Sequence, residues 1–119
     1  MKKYIQIGTF LGALGVGIGA FGAHGLKKML ELSGSSETFE TATKYLFYHA
    51  LALVLLGLMP ASKHANRSGI AFTAGVFVFS GSLYTICFTG IKTFGAIAPI
   101  GGVLLILGWV FFFLAARQK

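Results

Sequence analysis

Apolar residues fall into four long runs along the chain, and polar residues gather in the short stretches between them. The first run extends from Tyr4 to about Leu26, with no charge between Lys3 and Lys27. The second runs from about Ala42 or Tyr45 to Pro60, the third from Gly69 to Thr89, and the fourth from about Phe94 to Ala116. A hydrocarbon core of roughly 30 Å takes about 20 residues of helix at about 1.5 Å each, and every run meets that length. The pattern therefore predicts an all-α fold. It is one membrane domain over residues 1–119, a bundle of four transmembrane helices at about 4–26, 42–60, 69–89 and 94–116.

Between the first two helices the pattern changes. Leu26, Met29 and Leu30 stand opposite Lys27, Lys28 and Glu31, as in a short amphipathic segment lying on a membrane surface. Ser35 or Ser36 can cap a helix, and Glu37 and Glu40 suit the positive end of its dipole. The second helix is thus expected to begin near Glu37, outside the bilayer, and to run inward.

Composition removes other classes. A chain of 119 residues that is 55% hydrophobic, with ten basic and three acidic residues, is too apolar for a soluble domain of that size. Lys2 and Lys3 before an apolar run resemble a signal peptide. The run is longer than the roughly 7 to 15 residues of such a region, and a retained helix is expected. The net charge of +7 does not point to nucleic acid, because the basic residues cluster at the ends of the apolar runs as membrane anchors do. Lys2, Lys3, Lys63, Arg67, Arg117 and Lys119 share one side, against Lys27, Lys28, Lys44 and Lys92 on the other. That excess predicts both termini in the cytoplasm. Cys87, the single cysteine, reads as a small residue in helix packing.

Gly8, Gly12, Gly15, Gly19 and Gly22 form one stripe on the first helix, where another backbone can come close. Its partner is either another helix of this chain or a second copy. Ala71, Gly75 and Ser82 form a looser row on the third helix, and Ala98 and Gly102 stand four apart on the fourth. Pro99 is expected to kink the fourth helix between Ala96 and Gly102, some five residues after its start.

The chemistry concentrates at the start of the second helix. Glu37, Thr41, Tyr45 and His49 stack along one line, with Glu40, Lys44 and Tyr48 along the next. His24 ends the first helix on the same side of the membrane, and Tyr84 approaches that side on the third. These residues admit several readings: interhelical hydrogen bonding, a site for a lipid headgroup, quinone or other amphiphile, a proton or ion path, or a metal or haem site using His24 and His49. His64, in the basic second loop, is expected to be solvated. The stretch from Ala50 to Leu58 and that from Val103 to Leu114 hold no polar side chain besides Trp109, which counts against a conduction path. Gly15, Gly17 and Gly19 match the start of a dinucleotide fingerprint without its preceding strand.

Four local patterns carry a family resemblance: GAFGAHGL at Gly19 to Leu26, YLFYHALAL at Tyr45 to Leu53, FSGSLY at Phe79 to Tyr84, and APIGG at Ala98 to Gly102 followed by Trp109. Together they resemble the domain of unknown function 423 family, the small YgdD-like and YwdK-like membrane proteins of bacteria, with transmembrane protein 256 as animal relative. The resemblance implies a multi-pass membrane location and no established activity. It puts weight on Gly22, His24, Tyr45, His49, Ser80, Ser82, Tyr84, Pro99 and Gly102, while Leu46 and Ala98 replace a glutamine and a threonine frequent in the family.

The expectation is a non-enzymatic membrane protein, without cofactor or metal. It would bind a lipid-like ligand or a membrane partner through a polar cluster of His24, Glu40, Lys44, Tyr45, Tyr48, His49 and Tyr84. Membrane lipids, a homo-oligomer or a membrane protein complex are the partners it allows, and nucleic acid is not among them. A small transporter or channel, or a purely structural assembly factor, are the alternatives.

Overall fold

The computed structural model describes residues 1–117, so the Lys119 part of the charge count lies outside the described residues. They form helix α1 (Lys2–Ala23), α2 (Lys27–Ser33), α3 (Ser36–Gly57), α4 (Lys63–Thr89), a 3-10 segment (Lys92–Ala96) and α5 (Ala98–Arg117). No strand occurs among the described residues, and the fold class is all-α.

Three stretches are long and apolar enough to cross a membrane: α1, α4, and Lys92–Arg117, which joins the 3-10 segment to α5. The expected second crossing corresponds to α3. It has 22 residues but takes in Glu37, Glu40 and Lys44 in its first half, which dilutes its apolar content.

The local sequence explains the boundaries. Ser62 caps α4, its hydroxyl accepting from the Ala65 amide at 3.1 Å. Gly34 and Gly90 end α2 and α4 with φ of 69° and 72°, the left-handed region where glycine has no Cβ penalty. Ser35 does stand before α3, yet its side chain makes no capping bond. Leu30 anchors α2 in the bundle and is 3% exposed, while Lys27, Lys28 and Met29 stay exposed.

Pro99 departs from expectation. Helix α5 begins only at Ala98, so Pro99 occupies its first turn, where no amide donor is needed and the fixed φ suits a helix start. The chain before it is wound as a 3-10 segment. There is no kinked fourth helix with Pro99 at its bend, and Pro99 itself is exposed.

The helices pack in the order α1, α3, α4, α5. The molecule is 16 Å along its thinnest axis. Residues of α3 and α4 turned toward α1 and toward α5 lie on opposite sides of the α3–α4 pair, so the row is folded like a Z and leaves a groove on each face.

Glycines set the approach of neighbours. A Cβ at Gly8 would come 2.6 Å from the Ala50 carbonyl oxygen, one at Gly15 would come 3.0 Å from the Phe47 ring, and one at Gly22 would strike the Phe39 ring. These three, seven residues apart, face α3. Gly12 has open space before it, and Gly19 reaches only the Thr43 methyl at 3.6 Å. The stripe of five thus divides into a row pressed tightly on α3 and a row with room before it. Elsewhere Gly75 receives Leu105, Gly101 lies on the Phe79 backbone, and Gly108 receives the Phe72 ring.

Candidate functional site

The fully buried polar residues His49, Ser68, Ser80 and Ser82 each have a hydrogen-bond partner, whereas His64, expected to be solvated, is half-buried on the Phe111 ring with its Nδ1 buried and unbonded. Helix α3 carries His49 into the interior, where it is 4% exposed. The Trp109 indole N–H donates to His49 Nε2 at 3.0 Å, and His49 Nδ1 lies 2.7 Å from the Tyr45 carbonyl one helical turn earlier. An indole can only donate and a carbonyl can only accept. The imidazole is therefore neutral, with its proton on Nδ1 and its Nε2 lone pair engaged by Trp109. Tyr45 stacks on it at 6.0 Å between centroids, and Phe72 and Trp109 complete the enclosure at 5.5 and 5.7 Å. Both nitrogens are satisfied, so His49 fastens α5 to α3 and does not present a free ligand atom.

Other polar contacts tie the remaining interfaces. Ser80 donates to the Ala42 carbonyl at 2.8 Å and Ser68 to the Gly108 carbonyl at 2.7 Å. Thr43 and Tyr84 share a bond of 2.7 Å between their hydroxyls, and the Tyr4 hydroxyl donates to Asn66 Oδ1 at 2.5 Å. Ser82 donates to the Val78 carbonyl of its own helix.

The residues singled out in the sequence are not gathered in one place. Tyr45, Tyr48 and His49 line a groove of about 680 Å³ between α3 and α5, with Phe79, Gly102 and Trp109 among its walls. Tyr84 lines a groove of about 600 Å³ on the opposite face, between α1 and α4, among Leu14, Ile18, Phe21 and Phe88. Glu40 belongs to a third crevice, beside α2, and pairs with Lys44 at 3.2 Å on the surface. An exposed pair of this kind contributes little to stability. His24 is exposed just beyond α1.

Within the α3–α5 groove, Tyr45 and Tyr48 differ from His49. They are 39% and 54% exposed, with rings 5.8 Å apart, and neither hydroxyl bonds another described residue. Tyr45 rests on Phe79 at 4.9 Å. The groove thus offers aromatic walls with two phenol donors at its edge, a combination suited to an apolar molecule that carries hydrogen-bond acceptors. Among the described residues no three His, Cys, Asp or Glu side chains converge as a metal site would require.

Trp109 was not among the expected site residues. A signal for it existed. Both α3 and α5 start from the same end of the molecule, and Trp109 lies about as deep in α5 as His49 does in α3. A lone indole donor at the depth of a lone imidazole, far from water, is a natural pair. The serine-to-carbonyl bonds had no such signal, because a backbone acceptor leaves no mark in the sequence.

Comparison with known proteins covers most of these residues. The model of the family described as "Protein of unknown function (DUF423)" matches residues 18–102, a stretch holding His24, His49, Tyr84 and Gly102 but ending before Trp109. A UPF0382 membrane protein of Staphylococcus aureus strain bovine RF122 is 44% identical over 117 residues, covering 97% of this chain and 95% of its own length. A UPF0382 membrane protein of Staphylococcus epidermidis strain ATCC 12228 is 43% identical over 120 residues, covering 99% of this chain and 98% of its own. A third, from Staphylococcus saprophyticus, is 42% identical over 112 residues and covers 92% of each chain. No solved structure matches.

Proposed function

We propose, from the premise that this chain belongs to the DUF423 family of unknown function, that it is a non-enzymatic, four-span protein of the bacterial cytoplasmic membrane that holds a lipid-like amphiphile between α3 and α5. The observation that carries the reading is the pair of unbonded, exposed phenols of Tyr45 and Tyr48 above a wall of Phe79 and Trp109.

The fourth crossing rests on how α3 pairs with α1. The two run antiparallel end to end, with Phe39 beside Gly22, Ala50 beside Gly8, and Gly57 beside Ile5. If α1 crosses the hydrocarbon core, residues 39–57 of α3 cross with it. Burial between α1 and α4 then makes up for what α3 lacks in apolar content.

The charges support cytoplasmic termini, with Lys27, Lys28, Lys44 and Lys92 the smaller basic group at the far end. Tyr4 meets Asn66, so Lys2, Lys3, Lys63 and Arg67 share one end of the bundle, while all three carboxylates, Glu31, Glu37 and Glu40, stand at the other. Single cysteines at Ser35 and Ser62, introduced with Cys87 replaced by serine, test this. An impermeant thiol reagent added to intact cells is expected to label position 35 and not position 62, and the reverse pattern overturns the orientation.

Native mass spectrometry of gently extracted protein tests the ligand. One adduct in the mass range of a lipid or an isoprenoid is expected, and Tyr45→Phe with Tyr48→Phe should lower its occupancy about tenfold, as the loss of one to two hydrogen bonds predicts. No adduct, or one indifferent to both changes, overturns the proposal. Solute flux into proteoliposomes well above background would favour a transporter in its place.

A further inference from the structure

A separate crevice, of about 460 Å³, opens at the end of the bundle that holds the carboxylates, between α1, α2 and α3. We infer that it is a headgroup site for a glycerophospholipid bearing both a phosphate and a primary ammonium. The inference rests on the proposed crossing of α1 and α3 but not on the α3–α5 groove.

Its rim carries both signs. Lys27 and Glu31 come from α2, and Ser36 and Glu40 from α3. The chain has ten basic residues and only three acidic ones, yet two of those three line this crevice, Glu40 paired with Lys44 and Glu31 in no ion pair among the described residues. Lys27 suits a phosphodiester, while Glu31 and Glu40 suit an ammonium that can donate to them. A phospholipid with an uncharged polyol head leaves the Glu31 carboxylate unmatched. A choline head has no N–H to donate and is best held by aromatic faces. The crevice offers only Phe39, which is 6% exposed and packed edge-on against Tyr84.

The chains of such a lipid also have a place to lie. Gly19 lines the crevice, and Gly12, seven residues along the same side of α1, faces open space. A Cβ at Gly12 meets nothing within 4 Å, and one at Gly19 meets only the Thr43 methyl. The acyl chains would lie along this side of α1, leading away from the crevice. Leu30, pinned in the bundle, holds α2 beside the crevice.

The test reconstitutes the full chain in vesicles of equal parts phosphatidylethanolamine, phosphatidylglycerol and phosphatidylcholine, followed by mild extraction and identification of retained lipid. Phosphatidylethanolamine is expected to be enriched about tenfold over the other two, the ratio given by one charge-assisted hydrogen bond. Glu31→Gln with Glu40→Gln should abolish the enrichment, with Trp109 emission reporting that the bundle is intact. Tyr45→Phe with Tyr48→Phe should leave it unchanged, which separates this site from the α3–α5 groove. Retention in bulk proportions, or an enrichment that survives loss of both carboxylates, overturns the inference. Displacement by millimolar phosphoethanolamine would identify a water-soluble ligand and overturn the lipid assignment.

Discussion

Gly101→Leu is expected to destabilise the protein by about 3 kcal/mol or more and to separate α4 from α5, because the added side chain meets backbone that has nowhere to go. A Cβ at this position would collide with the Phe79 amide nitrogen and lie 2.7 Å from Phe79 Cα. A flexible neighbour could rotate aside, but a helix axis must translate. Movement of α4 at this level would also disturb the seating of Phe72 against Gly108 and the Ser68 bond to the Gly108 carbonyl. The next residue supplies the control: a Cβ at Gly102 reaches only Phe79 Cδ1, at 3.9 Å. Gly102→Leu should cost under about 1 kcal/mol, the range for substitutions without a clash. Gly12→Leu, facing open space, should behave likewise. Unfolding followed by circular dichroism across an SDS titration in mixed micelles measures all three. Equal losses for Gly101→Leu and Gly102→Leu would refute the close approach of α5 to Phe79.

The second large effect concerns the pair that bridges α3 and α5. Trp109→Phe keeps an aromatic ring but removes the indole donor to His49 Nε2, leaving a buried acceptor unpaired in the bundle interior. The expected loss is about 1–2 kcal/mol, within the range for an orphaned buried acceptor and at the upper end of hydrogen bonds between membrane helices. His49→Phe should cost a similar amount, and the double variant should cost clearly less than the sum, since each single change leaves the other partner stranded. A coupling near zero in that double-mutant cycle would mean that the indole and the imidazole do not bond. The cycle also bears on chemistry. A histidine that served as a free ligand would show no coupling to a tryptophan on another helix.

Much of the architecture was legible in the residues. The charge-free run between Lys3 and Lys27 specifies α1, and the alternation of Lys27, Lys28 and Glu31 with Met29 and Leu30 specifies α2. The start of α3 followed from serines and acidic residues ahead of an apolar run. The fourth run was harder to place. Its hydropathy is continuous across the 3-10 segment, so only Pro99 marked a boundary, and a proline fits equally a kink within a helix or the first turn of a new one. The glycine stripe posed a similar ambiguity. Spacing by four and three places five glycines within one broad face, but a neighbouring helix presses tightly only on the row that points straight at it. The polar residues scattered for the same reason: sequence gives the depth of Tyr45, Tyr84 and Glu40 along their helices but not the direction in which each helix turns them. That direction depends on which helices become neighbours, and the pairing of His49 with Trp109, sixty residues away, is its product.

The folded row of helices bears on how copies of this chain could associate. Its two broad faces are unlike, one bearing Tyr45, Tyr48 and Trp109 and the other Phe21, Tyr84 and Phe88. Two copies that joined through like faces would form a closed, two-fold dimer and stop there. Copies that joined front to back would each leave a fresh face outward, and the contact would repeat into a linear stack within the plane of the bilayer.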